Sequence, residues 1–355
     1  MIVMAEFELS SVEKAVKGHL PKALELSRSL REHPELPDQE FESSRKMVEI
    51  LKEAGFEVTY PFAGYETAFH ALFDNGDGPE VAILAEYDAL PEIGHGCGHN
   101  LHGSLSVLTG LALKDLREFY RGKVHVIGTP AEEENGAKIG MAAQGIFDNM
   151  SLAMMMHSWS GGKCRADMDA LSLQCYFVEF YGQAAHAVAA PWEGKSALAA
   201  ARKFLDLIDA RRECFTPDVH VNSIILNGGK APNIIPDYVK LRMEFRTATM
   251  KSMGAVDEMV KKCADGAAMA LDCTVKFTSV FEFADMVRNM TLEEEIIRQF
   301  EAFGMPTTGV EAASGSSDVG NVSYRCPAIQ PLLAVTDEDY ALHTAAFRDA
   351  TALPQ

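Results

Sequence analysis

Short apolar runs at 67–73, 81–85, 124–128 and 152–156 alternate with segments whose apolar residues recur at helical spacing. The helical segments are 12–33, 40–55, 99–116 and 138–143. Met47, Ile50 and Leu51 mark the inner face of the second, and Gly55 is its stop signal. Strands and helices in this alternation bury their apolar faces by stacking helices on a sheet. The predicted class is therefore α/β with a mostly parallel sheet. In such sheets ligands gather just past the carboxyl ends of the strands. The chain places Cys97, Glu133 and His157 at those points.

The order of elements changes in the middle of the chain. A strand at 171–181, a helix at 196–210, strands at 219–226 and 238–247, a helix at 250–269 and a strand at 274–283 follow one another. This β-α-β-β-α-β order is that of a split ferredoxin-like unit. Beyond it, 292–303 returns to helix and 319–335 to loop and strand. The predicted organisation is one domain made of 1–172 and 286–355, interrupted by a smaller α+β domain at 173–285. A length of 355 residues accommodates both.

Composition narrows the function classes. A net charge of -19 disfavours nucleic acid and anionic membranes as partners, and a carboxylate substrate would need a local cationic pocket. No N-terminal stretch has the length of a membrane helix or the form of a secretion signal, so the expected location is cytoplasmic. The seven cysteines are odd in number, scattered and without a CxxC pair, which argues against a disulfide framework. Cys97 stands apart because it lies among glycines and histidines rather than in an apolar run.

Two motifs carry the chemistry. Gly94-His95-Gly96-Cys97-Gly98-His99-Asn100 delivers a thiol and an imidazole one residue apart from a turn whose glycines permit unusual backbone angles. His95 and His102 are expected to support the site rather than to bind. In Thr129-Pro130-Ala131-Glu132-Glu133-Glu134 the side chains of neighbouring glutamates point in different directions. One can ligate a cation while another acts as a general base toward water. Three glutamates alone would be an ordinary solvated helix start, and His157 alone an ordinary strand-end histidine. Together with His343 they make a donor set for a transition metal.

These residues give the chain a specific resemblance. Ala85-Glu86-Tyr87-Asp88-Ala89-Leu90-Pro91, the Gly94 and Pro130 motifs, His157, Gly182-Gln183-Ala184-Ala185-His186, Pro232-Asn233-Ile234-Ile235-Pro236 and the run at 315–321 resemble the metal-dependent aminoacylase/carboxypeptidase family. Within it, they are most similar to the amidohydrolase branch of aminobenzoyl-glutamate hydrolases and dipeptidases. The resemblance implies Cys97, His99, Glu133, His157 and His343 as ligands of two divalent metal ions, with Cys97 bridging. It implies Glu132 as the catalytic base, and Asp88 as a residue that orients a ligand, with Glu86 where other branches have histidine. His186 would polarise the oxyanion in the partner subunit of a homodimer, which makes 173–285 a dimerisation lid. Asn233, Arg246 and Gly315 would hold the substrate's free carboxylate. The resemblance also implies a helix after His343 that here is lost or altered, leaving His343 less firmly held.

The expected function is hydrolysis of the amide bond of an N-acyl amino acid, an aminobenzoyl-glutamate-like conjugate or a dipeptide. The donor set suits zinc or manganese first, then cobalt or nickel. Two other readings stand beside it: a catalytically silent binding protein of the same fold that senses an acylated amino acid, and a related metallo-aminopeptidase.

Overall fold

The computed structural model describes residues 9–313 and 315–352. They divide into two units, one made of 9–169, 286–312 and 317–352, the other of 170–285, 313 and 315–316.

The larger unit is built on a six-stranded sheet. In chain order its first elements are α1 (Leu9–Glu32), α2 (Phe41–Glu53), β1 (Glu57–Thr59), β2 (Phe69–Asp74), β3 (Glu80–Ala85), α3 (His99–Asp115), β4 (Lys123–Gly128), α4 (Ala137–Ala143) and β5 (Leu152–Met154). The sheet order is β1-β2-β4-β3-β5-β11, where β11 is Ala328–Ile329. β4, β3, β5 and β11 run parallel, and β2 and β1 close one edge antiparallel. β4 is buried along nearly its whole length, as a central strand covered on both faces should be, with Val124, Val126 and Ile127 as its apolar residues. Leu26 and Leu30 of α1, Met47 and Leu51 of α2, and Val107 and Leu111 of α3 pack with Phe69, Ala85 and Val126 into one core. Gly55, with φ 82°, turns the chain out of α2 in the left-handed region that glycine tolerates.

The smaller unit contains β7 (Ser172–Tyr181), α5 (Ala197–Arg211), β8 (His220–Asn227), β9 (Tyr238–Thr247), α6 (Met250–Ala270) and β10 (Thr274–Phe283). Its antiparallel sheet runs β10-β7-β9-β8. β9 alternates strictly between buried and half-buried residues, the pattern of a sheet with one face on the core. Val239, Leu241, Met243 and Phe245 point into a core shared with Phe204 of α5 and Val260 of α6. Truncating Phe245 to alanine would cost about 3–5 kcal/mol, the usual loss for a buried phenylalanine.

Three local readings change. The run 152–156 is not one strand. β5 ends at Met154, and His157 opens a separate strand, β6 (His157–Trp159), paired in parallel with β12 (Leu332–Ala334). The break follows from partners remote in sequence: Met155 N–H donates to Ile329 O at 3.2 Å and His157 N–H to Pro331 O at 2.8 Å. The segment 319–335 begins with a short helix, α8 (Val319–Ser323), preceded by α7 (Met290–Ala302). A short helix, α9 (Ala345–Ala350), follows His343. Thr344 caps it by accepting from Phe347 N–H, and Phe347 is fully buried.

Candidate metal centre

The loop after β3 and the start of α3 bring the first donors inward. Gly94 (φ 78°) and Gly98 (φ 86°) take left-handed angles, whereas Gly96 is required by space. A Cβ there would lie 2.7 Å from Ile93 Cγ2. Cys97 is buried at this turn and His99 opens α3. The turn carrying the glutamates follows β4, and Ala131 within it has φ 60°. His343 also has a positive φ, 61°, and its N–H donates to Gly96 O at 2.9 Å, tying the late histidine to the cysteine loop.

Among the described residues, two of the converging donor sets contain Cys97. Cys97, His99 and His157 each offer a ligand atom within 4.8 Å of the others, and so do Cys97, Glu133 and His343. The sets share Cys97. Cys97 Sγ lies 3.4 Å from His157 Nε2, and His343 Nε2 lies 3.4 Å from Glu133 Oε2. Hydrogen bonds fix which nitrogen each buried imidazole presents. His157 Nδ1 donates to Ser158 O at 2.7 Å, and His99 Nδ1 donates to Asp88 Oδ1 at 3.0 Å. Both rings therefore turn Nε2 toward the thiol, the arrangement a metal site needs. His99 Nε2 and Glu133 Oε1 are buried polar atoms with no hydrogen-bond partner. Such atoms are costly unless something binds them, and a soft, imidazole-rich donor set with one carboxylate fits a divalent transition ion.

Asp88 does two jobs. Its Oδ1 accepts from His99, and its Oδ2 accepts from Glu133 N–H at 3.0 Å, so one carboxylate orients two donors. His102 has both nitrogens occupied. Nδ1 lies 3.2 Å from Glu86 Oε2, and Nε2 accepts from Ser158 N–H at 2.8 Å. That leaves it no lone pair to offer. His95 is buried against Leu30 O.

Sequence reasoning missed a buried charge cluster behind the donors. Lys138 is fully buried, with Nζ 2.6 Å from Glu86 Oε1 and 2.7 Å from Asp318 Oδ1. Oxygens of Glu86, Glu132 and Asp318 converge within 4.8 Å of one another. The signals were a lysine inside the apolar run 137–143 and a glutamate following a buried strand.

These neighbours set the protonation of the site. Burial, reinforced by the carboxylates of Glu86, Glu133 and Asp318, pushes Glu132 well above the ordinary glutamate value. Burial works against the charge of Glu86, but Lys138, His102 and His99 together outweigh it and hold that carboxylate well below its usual range. His99 is pulled well above its usual value because Asp88 and Cys97 outweigh burial. Burial lowers His157 to about 4, the neutral form a ligand requires. Burial and Glu133 push the Cys97 thiol up, so binding of a cation as thiolate would release a proton.

The remaining expected residues lie in the smaller unit, in two pairs. His186 and Ile234 form an antiparallel bridge, and Ala187 N–H donates to Asn233 O at 3.0 Å, so the loops carrying His186 and Asn233 are joined. Both loops are open to solvent, and Asn233 and His186 are exposed. Val188 N–H (3.2 Å) and Ala189 N–H (3.1 Å) donate to His186 Nδ1, which leaves its proton on Nε2. Arg246, on β9, reaches Ser316 Oγ at 3.4 Å, and Gly315 O accepts from Leu171 N–H at 2.8 Å.

Residues 172–270 match the peptidase dimerisation domain of the M20 family. The chain is 33% identical over 365 residues to the Xaa-Arg dipeptidase of Mus musculus, covering 97% of this chain and 84% of that protein. It is 29% identical over 315 residues to a p-aminobenzoyl-glutamate hydrolase chain of Escherichia coli, covering 83% of this chain and 65% of that one. In fold it is similar to the crystal structure of a dinuclear metal-binding M20 peptidase from Bacillus subtilis, with TM-score 0.71 and 22% identity over 95% of this chain and 96% of that one. The chain belongs to the M20 peptidase family.

Proposed function

We propose that this chain is a metal-dependent amidohydrolase that cleaves the amide bond of a small substrate ending in a free carboxylate. The observation that carries the reading is the pair of donor sets joined at Cys97, with the Glu132 carboxylate beside them, 3.9 Å from His99 Nε2. Cys97, His99, His157, Glu133 and His343 would hold two divalent cations, zinc or manganese by their donor chemistry. When bound, the cations act as Lewis acids that polarise the scissile carbonyl and acidify water.

The chain's own residues do the rest. Glu132 accepts the proton of the attacking water on its carboxylate and passes it to the leaving amine nitrogen; its raised proton affinity suits the second transfer. Asp88 keeps His99 and Glu133 aligned. His186 offers an Nε2–H donor, the tautomer an oxyanion requires, to the active site of the partner subunit in a homodimer. Asn233, Arg246 and Gly315 receive the substrate carboxylate, and the planar guanidinium of Arg246 suits two-point recognition of it. Dipeptides, aminobenzoyl-glutamate-like conjugates and N-acyl amino acids all carry that group next to the scissile amide. The two named relatives are amide-bond hydrolases by their descriptions. Seven cysteines without a disulfide among the described residues, one of them a prospective ligand, fit a reducing, cytoplasmic setting.

Glu132→Gln tests the reading. Purified E132Q should keep its full metal content by elemental analysis and lose turnover on a panel of N-acyl amino acids and dipeptides by about 10²–10⁴-fold. Activity near that of the parent would remove Glu132 from the mechanism.

A further inference from the structure

Glu40 precedes α2, far in sequence from either chemical motif, and is fully buried. Its two oxygens meet neutral donors. Oε2 accepts from Thr67 Oγ1–H at 2.9 Å and Oε1 accepts from Ala131 N–H at 2.9 Å. Thr67 is itself held, since Tyr87 Oη–H donates to Thr67 O at 2.7 Å. A carboxylate taken out of water without a cation is expensive to keep, and burial accordingly raises Glu40 to about 7. Structural capping of α2 does not account for it, because the Glu40 side chain makes no cap hydrogen bond to that helix.

Its contact at Ala131 has a consequence for the site. Ala131 is fully buried and adopts φ 60°, a left-handed conformation that an alanine resists and a glycine would take freely. This residue is the joint immediately before Glu132. Gly136 N–H donates to Ala131 O at 2.8 Å, closing the turn behind it. Two residues on, Asp88 receives Glu133 N–H. The turn is thus pinned at two peptide N–H groups by two buried carboxylates from distant parts of the chain.

We propose that Glu40 is a positioning residue for the hydrolytic reaction: its carboxylate holds Ala131 in the left-handed turn that aims Glu132 at substrate while Glu133 stays with the ligands. The inference rests on Glu132 being the base, and E132Q is the control for that reading. Glu40 acts by reach rather than by charge, because both its partners are neutral donors. Glu40→Gln keeps an oxygen within reach of Ala131 N–H, and its amide can face the Thr67 hydroxyl. Glu40→Asp keeps the charge but shortens the side chain by one methylene and loses the reach.

The experiment compares E40D, E40Q and E40D/A131G for kcat, KM, bound metal and thermal midpoint. E40D should lose about 100-fold in kcat, the scale of an ångström misplacement of a catalytic group, with KM and metal content unchanged. E40Q should remain close to the parent. A131G in the E40D background should restore most of kcat, since glycine adopts the turn without the tether. Equal loss in E40D and E40Q, loss in E40Q alone, failure of either to fold, or no rescue by A131G would each overturn the inference. If E132Q is inactive while E40D is fully active, Glu40 alone is excluded; if E132Q is active, the assignment of the base fails first.

Discussion

In the larger unit, four of the five prospective ligands are largely buried and held by protein hydrogen bonds or packing; in the smaller, His186 and Asn233 stand on paired loops open to solvent. The buried half is preorganised. Asp88, Ser158 O and Gly96 O each fix a donor before a cation arrives. Only His343 departs from this pattern, with a side chain 52% exposed beside a Glu133 that is 7% exposed. In the open half, Val188 and Ala189 N–H groups set the tautomer of His186. In the proposed reading the metal-binding pocket is completed within the larger unit, whereas His186 acts on the site of a partner subunit.

The largest break in this comparison should come from Cys97→Ala. Both donor sets lose their shared atom, so elemental analysis should find both cations reduced and activity lost, with the smaller unit's fold unchanged. His186→Ala should leave the metal content intact and lower kcat by about 10²–10³-fold, the usual loss for an oxyanion donor. Loss of metal in H186A would show that the halves are not separable. Arg246→Ala should act mainly on KM, raising it about 10–100-fold for carboxylate substrates, as expected for a hydrogen bond to a charged group worth about 1.5–3 kcal/mol. For the same substrates converted to amides, R246A should differ little from the parent.

The smallest effect concerns stability and belongs to the buried half alone. Asp167 is fully buried, accepts from Met168 N–H and Gln330 N–H, and is raised by burial to about 7. Between its unfolded value near 4 and about 7 the folded state holds a proton that the unfolded chain has lost. Stability therefore falls as pH rises across that window. Asp167→Asn should flatten this fall in the thermal midpoint; an unchanged slope would show that another group carries it.

Much of this was legible in the sequence because local periodicity and short motifs carried it. The helices 12–33 and 40–55 and the β-α-β-β-α-β order needed only patterning within a few turns. Cys97, His99 and Glu133 could be singled out as candidates because glycine and proline motifs flag loops that follow strands. What escaped depends on partners far along the chain. The split of 152–156 is imposed by residues 329–331. Lys138 was placed only at the start of the helix 138–143, and its partners are Glu86 and Asp318, one on each side of it in the sequence and both buried. Glu40 reads as one of many acids near a helix start, and only the fold brings it to Ala131.

The central claim is that the loop histidine of one protomer completes the buried centre of another. Mixing E132Q with H186A after reversible dissociation tests it directly. If His186 acts across the dimer, a mixed pair contains one site with an intact Glu132 facing an intact His186. Two inactive proteins should then recover up to about one quarter of parental activity, from half the dimers with one working site each. If His186 acts within its own chain, every site in the mixture stays defective, and activity no higher than that of the separate variants would contradict the claim.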